Sequence, residues 1–238
     1  MDRYREQAPA LDPYRLLARV WSRLTAAVPS GPQIARVVPD ACMDLIWHRE
    51  SGRLFIAGPD TVPHVSPIGP GTLIGLRFSP GAAPAALGLR GDLLRDTRVG
   101  LDAVWSSAET RRLADTLAAT ESDRAAQEVL QRSVTARFGG DRDPVVAAVL
   151  GMLRSGVRVG AVAAEIGLSE RQLHRRCLAA FGYGPKVLHR VLRFDRARLL
   201  ARQGLPFADI AYRIGYADQA HLAREVKALG GIPLGQFT

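Results

Sequence analysis

Two cysteines occur in 238 residues, Cys42 and Cys177, and they fall in segments of different character. A disulfide framework is therefore excluded, and so is a four-thiolate zinc site. No stretch of eighteen apolar residues appears, which argues against a membrane-spanning helix. The polar opening Met1-Asp2-Arg3-Tyr4-Arg5-Glu6 lacks the apolar core of a secretory signal, so a cytoplasmic location and no membrane partner are expected. Lysine is nearly absent, with Lys186 and Lys227 the only two among 32 basic residues. A nucleophile elbow, a phosphate loop and a dinucleotide fingerprint are all missing. Gly69-Pro70-Gly71 precedes a strand-like run, so it cannot aim helical amides at a phosphate.

What is present suffices for one large or two ordinary domains, since 47% of the residues are hydrophobic. Residues 30 to 81 are rich in glycine and proline and carry short β-type runs, Ala41 to Trp47, Leu54 to Ala57 and Leu73 to Phe78. Residues 106 to 138 lack both breakers, and Leu113, Leu117, Val129, Leu130, Val134 and Phe138 recur at helical spacing, which fits two helices. Gly139-Gly140-Asp141-Arg142-Asp143-Pro144 reads as a hinge. Residues 11 to 27 are ambiguous, because Leu11, Tyr14, Leu17, Trp21 and Leu24 fit a helix whereas similar chains have a strand there. The expected architecture is α+β, with a β-rich partial barrel or sandwich over 1–104, a helical connector and candidate dimerisation segment over 105–140, and an all-α domain over 141–238.

The all-α segment contains one phrase twice. Val162-Ala163-Ala164-Glu165-Ile166-Gly167-Leu168-Ser169 leads into Leu173, Cys177 and Gly182, and Ile210-Ala211-Tyr212-Arg213-Ile214-Gly215-Tyr216-Ala217 leads into Leu222, Val226 and Gly231. Up to the turn glycine the copies superpose at an offset of 48 residues and beyond it at 49, which puts a one-residue insertion in the second turn. Each copy reads as helix, tight turn, helix. Gly167 permits a positive φ, and Ser169 with Gln172 forms a capping box for the next helix. Leu173, Cys177 and Phe181 then point inward and leave Arg171, His174 and Arg175 outside. In the second copy Leu222, Val226 and Leu229 point inward, with Gln219, Ala220, Ala223 and Arg224 on or near the other side. A Gly-containing turn followed by a helix with a basic, amide-rich outer face is the helix-turn-helix that enters the DNA major groove. Charge agrees: residues 141–238 hold 15 Lys or Arg against 8 Asp or Glu, a net of +7, out of +9 for the whole chain.

Ala163 to Phe237 resembles the DNA-binding domain of AraC/XylS transcriptional regulators. The likeness rests on Ile166-Gly167-Leu168-Ser169, Phe181-Gly182-Tyr183-Gly184-Pro185, Leu192-Arg193-Phe194-Asp195-Arg196-Ala197, Ile210-Ala211 with Gly215-Tyr216, and Gly231-Ile232-Pro233. It implies seven helices, with two helix-turn-helix units held apart by a central helix from about Pro185 to Arg202. It also implies base-reading positions at Arg171, His174 and Arg175 and at Gln219, Ala220 and Arg224, and phosphate contacts are expected from Arg158, Arg176, Arg190 and Arg213. The implied partner is double-stranded DNA at a promoter or operator. A small-molecule effector, RNA polymerase and a second copy of the chain are further candidate partners. Ala220 offers no side-chain hydrogen bond, and His221 reads as a packing or phosphate contact.

Pro39-Asp40-Ala41-Cys42-Met43-Asp44-Leu45-Ile46-Trp47, with Ala57-Gly58-Pro59-Asp60-Thr61 and Gly75 to Gly81, resembles the small N-terminal domain of one AraC-like subfamily, which implies a sensor or dimerisation module. Cys42, Asp44, His48, Asp60 and His64 match no zinc spacing, so no metal and no cofactor are expected. Two alternatives remain beside a sequence-specific regulator: a DNA-binding architectural protein without sequence preference, and a cupin-like metal-dependent enzyme using His48 and His64.

Overall fold

The computed structural model describes residues 2–26, 33–140 and 142–237. Asp141 of the expected hinge lies outside them.

The segment whose spacing also permitted a helix is a strand. β2 (Leu17–Thr25) pairs antiparallel with β1 (Asp2–Gln7) on one edge and with β7 (Gly71–Phe78) on the other. A helix would have gathered Leu11, Tyr14, Leu17, Trp21 and Leu24 on one face. In the strand, Val20 and Trp21 point to opposite faces and both are buried, whereas Leu11, Tyr14 and Leu24 are exposed. Ladders on both edges satisfy the β2 backbone, so period-two alternation decides which residues go inside. β1, with Arg3, Arg5 and Glu6 exposed, is a charged edge strand, and such charge discourages edge-to-edge pairing.

With β4 (Asp44–His48), β5 (Leu54–Ala57) and β8 (Arg98–Gly100), these strands make one antiparallel sheet in the order β1-β2-β7-β4-β5-β8. β3 (Gln33–Val37) and β6 (His64–Ile68) make a separate two-stranded sheet. β4 begins at Asp44 instead of Ala41 because Ala41 has φ of 65° and the Asp40 carboxylate accepts the Cys42 amide at 2.9 Å, a turn that no strand residue could adopt.

One face of the large sheet, including Leu45, Trp47, Ile74 and Leu76, shares a core with α1 (Ala83–Leu87), α2 (Ser107–Ala118) and α3 (Asp123–Arg137). Ala126, Leu130 and Val134 of α3 are fully buried in it. Gln127 and Gln131, also buried, tie down the segment between β1 and β2: Gln7 Nε2 donates to Gln127 Oε1 at 3.0 Å and the Leu11 amide to Gln131 Oε1 at 2.9 Å. Residues 105–140 are thus continuous with the sheet's core. Leu113, Leu117, Leu130, Val134 and Phe138 of their apolar stripe are buried in it.

The remaining helices are α4 (Pro144–Arg154), α5 (Val159–Glu165), α6 (Glu170–Phe181), α7 (Pro185–Arg202), α8 (Phe207–Ile214) and α9 (Gln219–Gly230). The seventh helix implied by the resemblance is a single 3-10 turn, Leu234–Gln236. α7 has the expected bounds, with Pro185 in its first turn and Gly204 and Pro206 beyond its end. Leu188, Val191, Phe194 and Ala197 of α7 are fully buried, while Leu199 is exposed. The core around α7 also takes in Val38 and Ala41, and the backbones of Gly91 and Gly182 meet where the 3-10 turn Gly91–Leu94 rests on the end of α6. No helix among the described residues is long and apolar enough to cross a membrane.

All three tryptophans, Trp21, Trp47 and Trp105, lie in the N-terminal half. Leu130→Ala should lower the stability read by tryptophan fluorescence in urea by about 2–5 kcal/mol, because the cavity opens in the core shared with the sheet. An unchanged midpoint would make α3 a separable connector.

Candidate nucleic-acid interface

The first hairpin runs from α5 through Gly167 to α6. Gly167 has φ of 66°, which lets the chain leave α5 sharply. Ser169 then accepts the Gln172 amide at 3.3 Å, and Gln172 Oε1 accepts the Ser169 amide at 2.9 Å, the expected capping box. The Gln172 side chain is therefore used in fixing the helix start. Leu173, Cys177, Ala180 and Phe181 are buried, and Arg171, His174 and Arg175 are exposed. Burial raises the Cys177 thiol to about 12, so it serves as a small apolar group. Neither Arg171 nor Arg175 makes an ion pair among the described residues. Arg176 does, at 2.7 Å to Asp143, the N-cap of α4, so it braces the hairpin against the preceding helix.

The second hairpin follows the same plan with the inserted residue in its turn. Gly215 has φ of 76° and ends α8, and Asp218 caps α9 by accepting the His221 amide at 2.6 Å. The caps Ser169 and Asp218 are two and three residues beyond their glycines, where the repeat placed the slip. Leu222, Val226 and Leu229 are buried. Gln219, Ala220, Ala223 and Arg224 are exposed, and Arg224 has no ion-pair partner among the described residues. His221 is half-buried and packs edge-on against Tyr216, with ring centroids 5.2 Å apart.

Two arginines tie the second hairpin to α7. Arg190 holds α9 through a two-pronged pair with Glu225, at 2.9 and 3.1 Å. Arg193 donates to the Gly215 carbonyl at 2.9 Å and lies 3.8 Å above the Tyr216 ring. Arg190, expected at a phosphate, is therefore engaged inside the domain. Arg213 and Arg158, the latter at the start of α5, are both exposed without an ion pair among the described residues. The sequence pattern alone points to no role for Arg193, Asp218 or Glu225. Asp218 was within reach of the repeat, because it stands 49 residues after Ser169, whereas the Arg190–Glu225 pair depends on a helix crossing that spacing does not give. Tyr212 on α8 is 86% exposed.

The residues weighed for metal chemistry are dispersed. Asp44 is buried against Trp21 and Arg77; Asp60 pairs with Arg98 at 2.7 Å; His48 meets Ser51 at 2.7 Å. Burial, reinforced by Asp40, pushes the Cys42 thiol well above its ordinary value. Among the described residues no group of three or more His, Cys, Asp or Glu side chains is placed to hold a metal.

Two helix-turn-helix hairpins on one central helix define the C-terminal part as an AraC-type DNA-binding domain. Residues 162–238 match the family described as a helix-turn-helix domain, and residues 5–100 match a domain of unknown function, DUF6597. Over 82 residues the chain is 36% identical to the "Probable bifunctional transcriptional activator/DNA repair enzyme AlkA" of Mycobacterium tuberculosis. That likeness covers 32% of this chain and 16% of the relative's length, so the chain spans about a sixth of the curated relatives it matches. ToxT from Vibrio cholerae O395 aligns over 100% of this chain and 96% of its own at 10% identity and a TM-score of 0.46. CdpR from Pseudomonas aeruginosa aligns over 71% and 45% at 22% identity and a TM-score of 0.34.

Glu225 provides a pH test of the α7–α9 clamp. Hydrogen bonding from Arg190 holds its carboxyl below the ordinary value, against the opposing effect of burial. A lowered acid stabilises the fold above its unfolded value and ceases to do so as pH falls through the folded one. Wild type should therefore melt above Glu225→Gln at neutral pH, by less than about 1 kcal/mol because Arg190 remains partly in solvent. The gap should close as the pH falls below the usual glutamate range, and a constant gap would show that the pair is not its source.

Proposed function

We propose that the protein is a sequence-specific DNA-binding transcriptional regulator. In this reading α6 and α9 enter successive major-groove segments of one duplex, about 34 Å apart, and the N-terminal domain senses a small-molecule effector. The observation that supports it best is the pair of solvent-facing tip sets, Arg171, His174 and Arg175 on α6 and Gln219, Ala220 and Arg224 on α9, on helices anchored to one buried helix. Arginine can take guanine O6 and N7 together, and glutamine can take adenine N6 and N7. These tips sit near helix starts fixed by side-chain caps, which limits how far each can wander. Arg213 supplies a phosphate contact that sets register without reading sequence.

Ala220 favours the competing reading, binding without sequence preference, in the second unit alone. Selection of bound fragments from random DNA, followed by titration of the recovered site, separates the two. Arg171→Ala and Arg175→Ala should each cost about 1–3 kcal/mol at that site and relax preference at one base pair. Arg213→Ala should weaken all sequences alike and lower the salt slope by about one. If the α6 substitutions also weaken every sequence equally, base reading by that helix is wrong.

A further inference from the structure

The face of the large sheet turned away from the helices is not packed solid. The β3–β6 sheet covers it, and between the two lies a cavity of about 580 Å³, within the range of small-molecule sites. Strand register sets its floor in three rows. Across the middle stand Trp21, Gly75, Ile46 and Phe55, each beside the next. Gly75 keeps this row low, because a Cβ there would overlap the Trp21 ring. The indole is pinned by its Nε1–H, which donates to Asp44 at 2.8 Å. The result is a flat apolar platform.

The flanking rows are charged but unequal. On one side Arg77 meets Asp44 and Asp40, both at 3.3 Å, and Arg98 grips Asp60 through two bonds of 2.9 and 2.7 Å, so these guanidiniums are already matched. On the other side His48 and Arg53 stand opposite each other at the end of β4 and the start of β5, and the His48 imidazole has Glu50 at 3.6 Å. Arg53 is exposed and has no carboxylate partner among the described residues; its guanidinium lies 6.0 Å from the Phe55 ring centre. Among the described residues Arg77 and Arg98 are thus answered by carboxylates, and Arg53 is not.

We propose that this cavity binds a small molecule with a flat apolar body and one anionic group, the body on the Trp21–Ile46–Phe55 floor and the anion at Arg53 beside His48. The proposal specifies the ligand of the sensor reading above. A cation would meet the unanswered charge of Arg53, and a neutral molecule would cover that charge without answering it, which is costly as water leaves. An anion turns that cost into a charge-assisted hydrogen bond.

The test uses the full chain without DNA. Benzoate, 2-naphthoate and indole-3-carboxylate are titrated against their carboxamides, with tryptophan fluorescence and melting temperature as readouts. At least one acid should bind about tenfold more tightly than its amide, corresponding to a single added charge-assisted contact. Arg53→Ala should bring that acid down to its amide, and Arg112→Ala, remote on α2, should leave both unchanged. Equal affinities of acid and amide, or no response to any probe at millimolar concentration, overturns the proposal. Either failure is distinct from a failure of DNA recognition, because base preference at α6 is measured without any ligand.

Discussion

The burial of α7 on several sides at once gives the C-terminal domain its geometry. Each hairpin alone is too small to bury a self-sufficient core, and a helix pair with one exposed apolar stripe would stay loose. Leu188, Val191, Phe194 and Ala197, all fully buried, supply the missing surface to both. At about 1.5–3 kcal/mol for each large apolar side chain removed from water, the first three alone rival the net stability of an ordinary domain before chain entropy is charged against them. The spacing between the two outer helices is therefore a property of one packed core.

The N-terminal domain uses its sheet in two ways. One face is closed by α3 and its neighbours, leaving a core without room, while the other is roofed by a two-stranded sheet that stands off it. The hydrophobic cluster on the second face is small, Trp21, Ile46 and Ala57 with Phe55 and Leu73 against them. A surface of that size does not collapse a roof onto itself when buried guanidinium and carboxylate groups border it. The ion pairs of Arg77 and Arg98 keep these charges satisfied in place and so hold the gap open. The roof also reaches across to the other domain: Arg36 of β3 meets the Gly230 carbonyl at the end of α9 at 3.4 Å.

The repeat made the hairpins legible because they are local. Glycine, cap and inward stripe lie within twenty residues of each other, and both the capping box at Ser169 and the extra residue before Asp218 were readable from spacing. The ends of α7 were equally plain, since Pro185 and Gly204 punctuate them. What could not be read was set by partners far along the chain. Residues 17–25 carry apolar positions compatible with two periods, and only pairing with β7, some fifty residues later, selects the strand. The helices over 107–137 were visible as helices, but their stripe does not say whether it faces a sheet or a second molecule. Arg190 looked like a phosphate contact because sequence shows a charge and not the Glu225 that meets it. Arg53 is illegible for the opposite reason: its significance lies in lacking the carboxylate that Arg77 and Arg98 each have.

The two hairpins differ in a way that bears on how the proposed reading divides its labour. α6 offers two free guanidiniums and an imidazole, and it is braced through Arg176 at its middle and by the 3-10 turn Gly91–Leu94 near its end. α9 offers one amide, one guanidinium and a methyl group, yet it is clamped to α7 by Glu225, and its turn is held by Arg193 through both a carbonyl and a ring. A helix that forms few directional bonds to bases contributes to recognition chiefly through where it sits, because a misplaced methyl group or phosphate contact discriminates nothing. Rigid attachment is thus worth most on the unit with the poorer chemistry. Loosening Arg193 would blur the register of α9 on the duplex while leaving its own tips chemically intact, so the second unit's share of specificity resides in α7 as much as in α9 itself.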